Sequence, residues 1–266
     1  MSTAALEMHG VSAFGDAGER PMLAEVDWTV RRGEHWALVG ANGAGKSTLL
    51  KIAAGMLEPD EGTVRALGEP FDTHGLANPK LRIGVIESHP RIYAENLTVL
   101  EIVSMQRTGP AAVMGARIDP AERERAAALL ERFGCGHLAS RRYRVCSQGE
   151  RQRVMLARAM MRDPELLLLD EPSSALDLIA REAFIEAVSA LVAGAPRIAT
   201  VTVAHHLEEL PAVVDHAVLL HEGRVLAAGP AAAVLNTENL SRAFAAPVEV
   251  RHGGGRWRAD LAAAPG

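Results

Sequence analysis

Cysteine is scarce in this chain: Cys135 and Cys146 are the only two in 266 residues. With no C-x-x-C pair and no matching histidine spacing they form no zinc site, and two small buried or half-buried thiols in a reducing compartment are expected. Long apolar runs are missing as well. No window holds the eighteen uncharged apolar residues that a membrane span needs, and the N-terminus lacks a basic-then-apolar leader. The chain is therefore expected to stay in the cytoplasm and to meet a membrane only through a partner. An excess of positive charge is absent too: the formal net charge is −5, so there is no general electrostatic reason to bind nucleic acid. No internal repeat is present. What remains is an ordinary globular composition, 48% hydrophobic and 23% charged, long enough to bury a sizeable core in one α/β domain.

The pattern along the chain divides into three. Val26, Trp28 and Val30 alternate with polar residues, a turn follows at Arg31-Arg32-Gly33, and the apolar run Trp36 to Val39 leads into Gly40, which reads as two strands. Ser47 to Ala54 has helical composition, stops at Gly55 and precedes a Pro59-Asp60-Glu61-Gly62 turn. From about Pro90 to Met161 helix formers dominate. The clearest helix there starts with Asp119 as N-cap, Pro120 at its first position and Glu122 three residues after the cap, ends at Gly134, and carries Ala126, Leu129, Leu130 and Phe133 on one apolar face. Leu166 to Leu169 and Ile198 to Ala204 then read as strands buried on both faces, with Glu182 to Val192 as the helix crossing between them. Functional residues belong at the C-terminal ends of such strands, where Asp170, Glu171 and His205 fall. Past about Ala231 the chain turns Ala- and Gly-rich.

Gly40-Ala41-Asn42-Gly43-Ala44-Gly45-Lys46-Ser47 fits the spacing G-x-x-x-x-G-K-[ST], between a predicted strand and a predicted helix. Glycines let backbone N–H groups converge on phosphate oxygens, the helix start adds its dipole, and Lys46 supplies a cation. Gly40, Asn42, Gly43, Ala44, Gly45, Lys46, Ser47 and Thr48 form the expected nucleotide-binding set, with Ser47 on Mg2+. A nucleotide hydrolase also needs a carboxylate for the metal and a group to orient water. Asp170 suits the first task and Glu171 the second, as a base or polariser. Ser147 and Glu150 form an S-x-x-E capping box ahead of a helical run, and that helix start, with Gly149 at its tip, is either a simple cap or a second anion site.

In this order the motifs resemble those of the ABC ATPases, over nearly the whole chain. The loop at Gly40–Ser47 is similar to their Walker A, Cys146 to Glu150 to their signature, Leu166 to Glu171 to their Walker B, and Ser174 to Asp177 to their D-loop. The resemblance implies a P-loop α/β core with a mostly parallel sheet and an N-terminal antiparallel β region. A single ATPase domain at 1–240 is expected, with core segments 1–88 and 162–240, a helical subdomain at about 89–161 and a tail at 241–266. It also implies Mg2+ and ATP as cofactors, His205 on the γ-phosphate as a catalytic residue beside Glu171 and Lys46, and Phe14 stacked on adenine. Asp177 and Ser88 join the nucleotide contacts. Two copies would close head to tail on two ATP molecules, each held by one chain's Lys46 loop and the other's Ser147 and Gly149. An integral membrane transport subunit would be the second partner, placing the chain on the inner face of the cell membrane. Within the family, the alternative is a soluble ATPase of cofactor assembly or macromolecular remodelling.

The chain departs from the common pattern in two places. Ser88 stands where most members carry glutamine, with Glu87 or His89 as its possible substitutes, and the signature has Cys146 for leucine and Gln148 for its first glycine. Together with Gly33-Glu34-His35-Trp36-Ala37 these features are similar to ATPases of the ModF and YlmA type. That implies a cargo related to molybdate or, as the nearest rival, an iron complex.

Overall fold

The computed structural model describes residues 4–15, 21–71, 82–88, 96–108 and 118–262; His89 and Pro90 lie outside them. Strands β1 (Ala4–Phe14), β2 (Pro21–Arg31), β4 (Glu61–Ala66) and β5 (Glu69–Pro70) form an antiparallel sheet in the order β2-β1-β4-β5. The second sheet runs β10-β9-β3-β8-β7-β6, from β3 (His35–Gly40), β6 (Ile83–Glu87), β7 (Leu166–Asp170), β8 (Ala199–Val203), β9 (His216–His221) and β10 (Arg224–Pro230). All its pairings are parallel except β9 with β10. The run Leu166–Leu169 is fully buried, as an all-apolar strand covered on both faces must be.

Helix α1 (Lys46–Ala53) follows β3 and ends as the sequence predicts: the N–H of Met56 donates to Lys51 O at 2.8 Å and that of Gly55 to Ile52 O at 2.9 Å, with Gly55 at φ 64°. This double closure satisfies the last carbonyls of the helix. It fills the space between the two sheets together with Leu6, Met8, Val26 and Leu38. Trp28 of β2 and Trp36 of β3 meet edge to face there, ring centroids 5.7 Å apart, and tie one sheet to the other.

A second core belongs to α2 (Val99–Thr108), α3 (Pro120–Arg132), α4 (Gln148–Met160) and α5 (Leu178–Ala193), packed against the other side of β6 and β7. Asp119 accepts from Ala121 N at 2.9 Å and caps α3, while Ala126, Leu130 and Phe133 are buried along one face and Leu129 is partly so. Both cysteines sit in this core, and burial pushes the Cys135 thiol up to about 11, so it stays protonated and inert at neutral pH.

A third core lies under β9 and β10, closed by α6 (Ala231–Val234), α7 (Thr237–Phe244) and a hairpin of β11 (Val248–Gly253) and β12 (Arg256–Leu261). Trp257 is buried in it, and Arg256 pairs with Glu182 of α5 while donating to the carbonyls of Glu208 and Leu210 at 3.3 and 3.2 Å. The Ala-rich C-terminal stretch thus carries regular structure up to Leu261, anchored by buried Val248 and Trp257. Among the described residues no helix is long and apolar enough to cross a membrane.

Candidate active site

The loop between β3 and α1 turns so tightly that Gly45 takes φ 99° as the N-cap of α1. A Cβ there would lie 2.6 Å from Met22 O, so the position excludes any side chain. α1 has no capping side chain and no acidic residue in its first turn. The other described helices of eight residues or more are capped: Thr98, Asp119, Ser147, Asp177 and Asn236 each accept a backbone N–H at the start of theirs. The first N–H groups of α1 and its positive dipole end are thereby left to an external anion. Lys46 folds back over the loop, its Nζ donating to Gly40 O at 2.8 Å and Ala41 O at 3.1 Å. Burial lowers its pKa, and the charges of Glu171 and Asp170 oppose that shift.

The parallel register of β7 and β8 brings the acidic residues to the same place. Glu171 sits just past β7 at φ 49°, a conformation that costs a non-glycine residue about 1–3 kcal/mol and clusters at functional sites. Its backbone is pinned there: its N–H donates to Val203 O at 3.2 Å, and its carbonyl accepts from Ser174 N at 3.2 Å and Ser174 Oγ at 3.0 Å. The carboxylate meets His205 just beyond β8, with Nε2 2.7 Å from Oε1. Asn42, Gly43, Gly45, Lys46, Ser47, Thr48, Glu171 and His205 together line one cleft of about 260 Å³, with Met22 as its apolar wall. Met22 belongs to no motif, so nothing in the sequence marks it.

Asp170 lies beneath this cleft. Burial, then the neighbouring charges of Glu171 and Glu87, push its carboxyl above the ordinary range, and its Oδ1 is buried without a hydrogen-bond partner. A buried carboxylate oxygen with no donor beside a hydroxyl-bearing loop suits a hard divalent cation, which takes oxygen ligands. Asp170 and Ser47 are the residues that would hold it, and it would neutralise phosphate charge and polarise the transferring group.

The remaining expected site residues gather elsewhere. Ser147 and Glu150 form the reciprocal capping box at the start of α4, with Ser147 exposed and Gly149 buried. A Cβ at Gly149 would stand 2.6 Å from Ala180 Cβ, so the glycine lets the starts of α4 and α5 touch. Exposed Asp177 caps α5 by accepting from Ala180 N at 2.8 Å. None of these three lines the cleft. Ser88 follows β6, next to Glu87, which stands in register with Asp170. Phe14 is 41% exposed at the end of β1 and paired with Pro21, one residue from Met22, but is not among the cleft residues.

A strand, a glycine-rich anion loop, an uncapped helix and a strand-end carboxylate pair define a P-loop nucleotide hydrolase. A family model described as "ABC transporter" matches residues 23–174. The ABC transporter ATP-binding protein YlmA of Bacillus subtilis (strain 168), itself uncharacterised, is 38% identical over 237 residues, spanning 86% of this chain and 87% of that one. The hemin import ATP-binding protein HmuV of Nocardia farcinica (strain IFM 10152) is 40% identical over 238 residues, covering 89% of this chain and 80% of its own. Among solved structures, the dimeric post-hydrolysis state of the ATP-binding cassette MJ0796, bound to ADP and Pi, superposes with a TM-score of 0.71 at 25% identity, over 85% of this chain and 98% of that one. The chain belongs to the ATP-binding family of ABC transporters: it binds and hydrolyses ATP as a transporter's motor subunit.

Proposed function

We propose that two copies of this chain close head to tail on two MgATP molecules, each nucleotide held by the Lys46 loop of one copy and by Ser147 and Gly149 of the other. The observation that carries this reading is the tip of α4: a helix start with Ser147 exposed and Gly149 behind it, capped by Glu150 and lying outside its own chain's cleft. Asp170 and Ser47 hold Mg2+, Glu171 polarises the attacking water while His205, 2.7 Å away, orients it and meets the γ-phosphate. Ser88 and Asp177 flank the phosphates, and Phe14 stacks on adenine beyond Met22.

The core segments 1–88 and 162–240 carry the nucleotide. The helical subdomain at about 89–161 receives an integral membrane subunit on the cytoplasmic face of the membrane, and the tail at 241–266 packs onto the core through the end of α7 and the β11–β12 hairpin. Relatives named for hemin import favour an iron complex as cargo over molybdate. Closure on ATP and release after hydrolysis would drive the membrane partner between two states. The site is tested with Lys46→Ala, which removes the cation from the phosphates. Its ATP affinity, read by calorimetric titration, should weaken at least about 100-fold, roughly the 3 kcal/mol of a strong charge-assisted contact. Unchanged affinity would refute the site.

A further inference from the structure

Gln148 and Gln152 stand four residues apart on α4 and turn their carboxamides onto the same stretch of backbone. Gln148 Nε2 donates to Ser88 O at 3.1 Å, and Gln152 Nε2 donates to Ser88 O at 2.9 Å and to Glu87 O at 3.1 Å. The carbonyl of Ser88 thus accepts from two side chains and uses both its lone pairs. β6 is the edge of its sheet, paired only with β7 among the described strands, so these carbonyls close the strand's end with α4 rather than with another strand. Gln152 is 1% exposed, which makes the contact dry and therefore stiff.

The two ends of this clasp have different duties. At one end Ser147 and Gly149 form the tip of α4, immediately beside Gln148. At the other, Glu87 is in register with Asp170 at the cleft, and its charge acts on Asp170. Gln148, a departure from the common family pattern, thus donates to the backbone carbonyl of position 88, where the side chain is another.

We propose that Gln148 is a positioning residue which, with Gln152, locks the tip of α4 to the end of β6 and thereby couples the two ATP sites of one dimer. The clasp acts within the ATP-sandwich dimer proposed above. There, a chain's tip rests on its partner's nucleotide while its β6 and β7 ends face its own. With the tip free to shift against β6, each site would fill and fire alone. With the two held together, closing one site sets the geometry of the other, which is positive coupling between distinct sites.

The test is steady-state ATP hydrolysis by the full chain across ATP concentrations at saturating Mg2+. Gln148→Met keeps side-chain length without a donor, and Gln148→Glu keeps length and polarity but, ionised, cannot donate. Position 148 is half-buried in the first turn of α4, so both variants should fold and melt within a few degrees of the parent. The parent should show a Hill coefficient well above one, with two as its ceiling because there are two sites. Both variants should fall to about one, with the ATP concentration at half-maximal rate changed less than about threefold. A helix start that mattered only for stability would move the melting temperature and leave the Hill coefficient alone. Parental cooperativity in either variant, or a parent with no cooperativity, overturns the clasp. A parent that neither hydrolyses ATP nor dimerises with it overturns the sandwich itself.

Discussion

Asp170 concentrates the chemistry of the site in one side chain. Its folded pKa lies above its unfolded value because burial disfavours the charge, with Glu171 and Glu87 adding to the effect. The folded state then binds the proton more tightly, so stability falls as pH rises from the unfolded to the folded value, and the loss persists at neutral pH. Asp170→Asn should therefore raise the nucleotide-free melting temperature at pH 7. The gain should vanish at a pH below the ordinary carboxylate range, where both forms are neutral. Mg2+-dependent turnover should fall at least about 100-fold, since the metal loses a ligand. Scanning calorimetry and an ATPase assay read the two effects, and a variant that melts lower at pH 7 would contradict the orphaned charge. Lys46, Asp170 and Glu171 were legible in the sequence because their spacing follows from phosphate and metal chemistry. Met22 and Gln152 were not, because each acts through a neighbour that only folding brings near.

Among the elements, helices announced themselves through their caps. Asp119 and Pro120 mark the start of α3, and Ser147 with Glu150 marks that of α4, as the hydrogen bonds at both sites show. Asp119→Ala should lower stability by about 1 kcal/mol in a urea titration, the usual loss of an N-cap, while kcat changes less than about twofold. A loss above about 3 kcal/mol would mean that Asp119 does more than cap. Strands carry weaker local signals. β4 begins at Glu61, inside the segment whose Pro-Asp-Glu-Gly composition signals a turn, because pairing with β1 outweighs local preference. The hairpin of β11 and β12 does alternate apolar and polar residues, Val248-Glu249-Val250-Arg251 and Trp257-Arg258-Ala259-Asp260 on either side of Gly253-Gly254-Gly255, but its strands are short and lie in an Ala- and Gly-rich stretch. It is held instead by buried Trp257 and by the three contacts of Arg256, all of them with residues distant in sequence.

Two helix starts with glycine at or beside the tip lie on one chain, α1 opening into its own cleft and α4 facing outward. α1 lacks a capping side chain and leaves its first N–H groups open; α4 has its cap and still presents Ser147 to solvent. In the proposed head-to-tail pair, the α1 start of one copy and the α4 tip of the other would face the same nucleotide. Glu171→Gln removes the group proposed to polarise water but leaves Lys46, Ser47 and the tip of α4 intact, so ATP should be bound and retained. Light scattering of that variant with Mg2+ and ATP should give the mass of two chains, returning to one when EDTA removes the metal. A single-chain mass at saturating ATP, with nucleotide demonstrably bound, would contradict the account.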